Sequence, residues 1–165
     1  MLDTIDDLPA RPGPRPSTTP TNPHTQLDQN APAELQAQVA DFMFELDCVV
    51  ETTSSISVPG ARAMWLHDAC EAGPPNAFMV GREFCHLHPQ YDGSLHLNLP
   101  LDVVEVAIER GWAENHPLAA RGIVPHNVVM VYGPRDEAEL EVVTRLVAAS
   151  HAFAHPANAS SAESS

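Results

Sequence analysis

The stretch HLHPQYDGSLHL, residues 86–97, holds His86, His88 and His96 in one short run. Neutral imidazoles at H-x-H spacing, joined by a third from a neighbouring strand, suit zinc, iron or copper. The same groups titrate near neutrality, so they can also take a proton from a phenol or an enol. They can equally be ordinary hydrogen-bonded strand residues. The H-x-H spacing alone does not separate these three readings. A fourth candidate, His116 in GWAENHPLA, follows a helix stop at Gly111 and falls in a loop free to close over a ligand. Around them stand three supporting candidates. Glu83 faces the core by strand parity unless Gly81 or a bulge disturbs the register; it either orients a histidine or pairs with an arginine. Trp112 either walls a pocket or packs in the core. Arg135, beside a helix-capping Asp136, is placed to hold an anionic oxygen. Cys85 points into the core.

Elements with the right periodicity must position these groups. In SLHLNL, Leu95, Leu97 and Leu99 point one way and His96 and Asn98 the other. Cys85 and Leu87 join those leucines if the hairpin turns through Tyr91, Asp92 and Gly93, with Gly93 in a left-handed bulge position. That register sets His88 opposite His96 and His86 opposite Asn98. It leaves His86, His88 and His96, with Phe84, on the face away from the leucines. A two-residue Asp92-Gly93 turn would mix leucines with histidines.

Upstream, Leu35, Val39, Phe42, Met43 and Leu46 recur at helical spacing in a helix starting near Pro32, with Asn30 as cap. VVETTSSISV and RAMWL read as strands joined at Pro59-Gly60. AFMV and EFCHLH read as one bent strand or two, with Gly81 at the bend. Downstream come a helix from Leu101 to Arg110 stopped by Gly111, a buried strand VVMVY, and a helix opened by the D-x-x-E pair Asp136 and Glu139. Strands linked by short turns predict a single α+β domain over 33–153: a mainly antiparallel sheet with helices packed on one face. Residues 1–7 and the small, polar tail 154–165 are expected to be disordered, and 8–32 form a Pro-rich arm.

Bulk composition narrows the partners. The formal net charge is -14, with 22 acidic side chains against 8 basic ones, all arginine. Such a surface repels nucleic acid and anionic membranes. Cys48, Cys70 and Cys85 make an odd set without C-x-x-C spacing, which predicts reduced thiols. The N-terminus is acidic where a signal peptide is basic, and no apolar run approaches a membrane span. The expected location is the cytoplasm.

Taken together and in order, Arg82-Glu83, His86-x-His88, Leu95-His96-Leu97, Gly111-Trp112, His116-Pro117-Leu118-Ala119, Tyr132 and Pro134-Arg135 resemble the shared half of the fungal luciferases and their non-luminous bacterial relatives. The resemblance spans roughly 7–153 and is strongest over 81–153. It extends to the segment DLPARPGPRPSTTPTNPHTQL, and so implies that the Pro-rich arm lies on the domain. It implies an oxygenase that adds molecular oxygen to a small enolisable or aromatic substrate, with no organic cofactor required. His86, His88, His96 and His116 are its base and donor candidates. A divalent zinc, iron or copper ion held by His86, His88 and His96 is the alternative, and a non-enzymatic binding module the other. Between the first helix and Gly81 the chain departs from the fungal pattern, so substrate identity and light emission do not carry over.

Overall fold

The computed structural model describes residues 5–156; the chain ends at 1–4 and 157–165 lie outside it. Six strands form one antiparallel sheet: β1 (Val49–Thr53), β2 (Arg62–Leu66), β3 (Glu83–Leu87), β4 (Leu95–Asn98), β5 (Ala113–Asn115) and β6 (Val128–Val131). Their order across the sheet is β1-β2-β3-β4-β6-β5. Three helices accompany it: α1 (Ala33–Glu45), α2 (Leu101–Glu109) and α3 (Glu137–Ala154). This is an α+β domain.

The core lies where the helices meet one face of the sheet. Leu35, Val39 and Met43 recur every four residues on α1 and are buried; Val143, Leu146 and Val147, at i, i+3 and i+4, form the buried face of α3. From the sheet they meet Met64, Leu66, Leu87, Leu95, Leu97, Val129 and Val131. Each such side chain contributes about 1.5–3 kcal/mol when fully buried. The leucine alternation of β4 therefore faces the helices, and His96 faces away from them.

The hairpin differs from its expected register. Cys85 pairs with Leu97, His86 with His96 and Leu87 with Leu95. The connection runs from Pro89 to Gly93, closed by the His88 N–H donating to the Ser94 carbonyl at 2.9 Å. It is five residues long, because Pro89 has no N–H to continue the ladder and the N–H groups of Asp92 and Gly93 bond back to its carbonyl. Gly93 is left-handed, with φ +77°. The slip is by two positions. A shift of two leaves every side chain on its face, so the histidines still share one side.

A bulge corrects two further expectations. Met64 pairs with Cys85 but Trp65 pairs with Glu83, so Phe84 is an extra residue in β3. Phe84 consequently turns into the helix side, against Phe78 and His151. Glu83 moves to the histidine face.

Other differences are local. AFMV is not a strand: a short 3-10 turn covers Pro75–Ala77, and only a single bridge joins Val80 to Glu83. Pro32 precedes α1, while the Asn30 amide instead donates to the Gln26 and Asp92 carbonyls. Asp136 caps α3 by accepting from the Glu139 N–H at 2.9 Å, but the Glu139 carboxylate accepts from Arg135 instead of closing the box. Cys48 and Cys70, expected as free thiols, form a disulfide across a Cα separation of 6.3 Å. The β1 start and the loop after β2 bring them together, which their sequence separation of 22 did not reveal. Cys85 is buried and free. Among the described residues no helix is long and apolar enough to cross a membrane.

The Pro-rich arm crosses the sheet's outer edge and continues over the face that carries no helices. Leu8 is fully buried. The indole N–H of Trp112 donates to the Pro9 carbonyl at 2.6 Å, and Arg15 donates to the Ala113 carbonyl at 2.8 Å. The Gln26 amide oxygen accepts from the Gly133 N–H at 3.1 Å.

Candidate active site

Sheet register assembles the site. A row of cross-strand neighbours runs Ala63, His86, His96, Met130, Glu114 across β2, β3, β4, β6 and β5. His88 follows on the same face just beyond β3. The arm lays His24 over this face, and the loop after β5 brings His116 to it. His24, His86, His88, His96 and His116 all line one cavity of about 580 Å³. That size suits a small organic molecule. Its rim is apolar: Ile56 from the β1–β2 loop and Ile123 from the loop after β5 are both more than half exposed there.

The imidazoles are tied to carboxylates at their far sides. His86 Nδ1 lies 2.9 Å from Glu83 Oε2, and the same carboxylate accepts from the Ser54 hydroxyl and the Ser55 N–H. His88 Nδ1 lies 3.0 Å from Asp92 Oδ2 and 3.0 Å from Ser94 Oγ. His24 Nε2 lies 2.8 Å from Glu114 Oε2, which Thr18 also contacts, while Tyr132 donates to the other oxygen at 2.7 Å. Inward, His24 Nδ1 meets His96 Nε2 at 2.8 Å, and His96 Nδ1 meets His88 Nε2 at 2.9 Å. His116 Nδ1 accepts from the Leu118 N–H at 3.1 Å. His86 Nε2 is buried with no hydrogen-bond partner.

Charge follows from these contacts. Burial would raise Glu83, Asp92 and Glu114, but hydrogen bonds, led by those from His86, His88 and His24 respectively, outweigh it and hold all three carboxyls below their usual range. Burial, aided by neighbouring imidazoles, depresses His86, drives His96 well below an ordinary histidine, and takes His116 to about 4. Burial, then Glu114, pushes Tyr132 up to about 12. The result is neutral imidazole at His86, His96 and His116, with ionised carboxylate at Glu83, Asp92 and Glu114. Two groups of three rings have nitrogens within 4.8 Å of one another: His86, His88, His96, and His24, His96, His116.

The sequence candidates divide cleanly. His86, His88, His96 and His116 meet in the cavity, and the bulge brings Glu83 against His86. Trp112 does not line the cavity: it is 2% exposed and packs in the core under the arm. Arg135 does not reach it either; it grips Glu139 at 2.6 Å and donates to the Pro12 carbonyl, tying down the arm. His24, Glu114 and Asp92 were missed. His24 sits in a Pro-rich segment without periodicity. Glu114 sits on a three-residue strand too short to read from the sequence. Asp92 reads as a turn residue, which it is, and its carboxylate also folds back under His88.

Residues 81–150 match the family described as Luciferase domain. The match covers less than half of the chain. Luciferase of Armillaria mellea is 29% identical over 88% of this chain and 60% of its own length, and that of Armillaria gallica matches to the same extent. Luciferase of Neonothopanus nambi is 38% identical over 42% of the chain and 27% of its own length. The chain thus spans about three fifths of the Armillaria proteins. No solved structure matches it significantly. The luciferase-like domain contains His86, His88, His96 and His116, while His24 comes from the arm, within the longer stretch aligned to the Armillaria proteins.

Proposed function

We propose that the luciferase-like domain is a small-molecule oxygenase-type enzyme acting on an enolisable or aromatic substrate. The observation that carries this reading is the buried, unpartnered Nε2 of His86, a residue that lines a cavity of about 580 Å³, while Glu83 holds its other nitrogen. Glu83 fixes the proton on Nδ1, so Nε2 presents a lone pair. A substrate hydroxyl seated there gives up its proton, and the Glu83 carboxylate stabilises the charge that develops on the ring. His116 has the opposite tautomer, because the Leu118 N–H occupies its Nδ1. Its Nε2–H is free to donate to the enolate or phenolate oxygen. The resulting carbanion carbon passes an electron pair to dioxygen, forming a C–O bond. The terminal peroxide oxygen then recovers the proton from the ring, so one substrate and one dioxygen give one hydroperoxide. The apolar rim at Ile56 and Ile123 favours an aromatic or pyrone-like body over a charged metabolite.

Oxygen uptake against a panel of hydroxypyrones and polyphenols tests this. We expect one dioxygen consumed per substrate, with turnover lowered about 10²–10⁴-fold in His86→Gln at unchanged thermal unfolding. A panel in which a member binds tightly and none consumes oxygen would make the domain a binding module.

A further inference from the structure

Tautomers in the cluster are dictated from its edges. Ionised Glu114 takes the Nε2–H of His24 at 2.8 Å, so His24 Nδ1 is a lone pair and must accept from His96 Nε2–H. His96 Nδ1 is then a lone pair. Asp92 takes the Nδ1–H of His88 at 3.0 Å, which makes His88 Nε2 a lone pair, 2.9 Å from that of His96. Glu83 does the same for His86, whose Nε2 is buried and unpartnered. In these tautomers His86, His88 and His96 each keep one lone pair, and the three rings offer nitrogens within 4.8 Å of one another. Two lone pairs at 2.9 Å repel unless something positive lies between them. A single extra proton would bridge His88 and His96 but leave His86 Nε2 unpaired. One cation satisfies all three.

We infer that His86 Nε2, His88 Nε2 and His96 Nδ1 are the ligands of a divalent first-row transition-metal ion that prefers imidazole. This rests on the oxygenase reading above and changes one part of it: the His86 Nε2 lone pair holds the cation, and the cation takes over activation of the substrate hydroxyl. Metal–nitrogen distances near 2.0–2.1 Å set tetrahedral ligand nitrogens about 3.3 Å apart, so His88 Nε2 and His96 Nδ1, now 2.9 Å apart, would part by a few tenths of an ångström while His86 closes on them from within 4.8 Å. Glu83 and Asp92 act as the carboxylates that orient ligand histidines and raise their basicity. Glu114 acts through His24 on His96 in the same way. His116 is excluded as a ligand because its lone pair already faces the Leu118 N–H. Three protein ligands would leave an open coordination position, and all three residues line the cavity. Among the described residues no arginine lines the cavity, so none of them competes there with a cation. A metal in this position would favour the ionised form of a bound enol or phenol, in place of proton transfer to His86.

The test uses the whole chain. Metal analysis of protein purified without chelator is followed by cobalt(II) titration of chelator-treated protein, read by visible d–d absorbance. We expect one equivalent bound, with affinity more than about 100-fold weaker in His86→Ala and about 10–100-fold weaker in Glu83→Gln. To guard against misfolded variants, zinc is added to unmodified ¹⁵N-labelled protein. It should shift His86 Nε2, His88 Nε2 and His96 Nδ1 and leave His116 unmoved. Failure to bind one equivalent, or shifts at other nitrogens, overturns the inference. Oxygen uptake by chelator-treated protein together with no metal binding sinks the metal and spares the oxygenase. Stoichiometric metal binding without uptake on any substrate does the reverse.

Discussion

A histidine buried in this protein is defined by what its second nitrogen meets. His151 and His155 are as buried as the cluster histidines, yet each gives a ring nitrogen to a backbone carbonyl, of Asp47 at 2.7 Å and of Glu71 at 2.9 Å. They belong to the end of α3. His86 gives one nitrogen to Glu83 and leaves the other buried without a partner. The type of residue was visible in the sequence, but the partner was not. His151 offers a test at this scale. Burial chiefly lowers its pKa, and neighbouring His155 adds to this, against the opposing Asp47 carbonyl and carboxylate. The unfolded chain therefore binds the proton first as pH falls below about 6.5. Between that value and the lower folded one, the unfolded state carries more protons and stability declines with pH. Urea unfolding between pH 7 and 5 should show a shallower decline in His151→Gln than in the parent, by up to about 1.4 kcal/mol per pH unit.

Among the elements, the β3–β4 hairpin separates what periodicity can decide from what it cannot. Alternation assigned Leu95, Leu97 and His96 to their faces, because a side chain's side depends only on odd or even position. It could not assign the partner, since slipping by two positions preserves every face. Loop chemistry decided that: Pro89 ends the ladder and the connection takes five residues. The bulge at Phe84 left a trace, for E-F-C-H sets two apolar residues side by side between two polar ones. Read as an interrupted alternation, it turns Phe84 inward and Glu83 toward His86. The loop also sets a prediction. A Cβ on Gly93 would lie 2.6 Å from the Gln36 amide nitrogen, at φ +77°. That amide holds the Ala31 and Gln90 carbonyls at 2.8 and 2.9 Å. Gly93→Ala should cost about 1–2 kcal/mol in backbone strain alone, and more through Gln36, measured by chemical denaturation.

At the level of the whole molecule, the arm and the disulfide matter most. The arm buries Leu8, covers Trp112 and delivers His24, so a segment whose composition suggests disorder completes the site. The disulfide joins residues 22 apart. A loop of that length restricts the unfolded chain enough for the Cys48→Ser/Cys70→Ser double variant to lose about 3 kcal/mol in the absence of reductant. Denaturation of both proteins with and without reductant checks this; reductant should bring the parent down to the variant.

The sequence alone settled the α+β class, the helices, the shared face of His86, His88 and His96, and the resemblance that named His116. These depend on local periodicity and on motifs contiguous in the chain. The tertiary structure decided the hairpin register, the Phe84 bulge, the Cys48–Cys70 pair, the seating of Trp112 and Arg135 away from the cavity, and the arrival of His24, Asp92 and Glu114 at the site. Each of those rests on contacts between segments distant in the chain or on loop geometry, which period-2 and period-3.6 patterns do not encode. Above all, the direction of each imidazole's lone pair depends on a carboxylate contributed by another part of the fold, and that direction sets the chemistry the histidines can do.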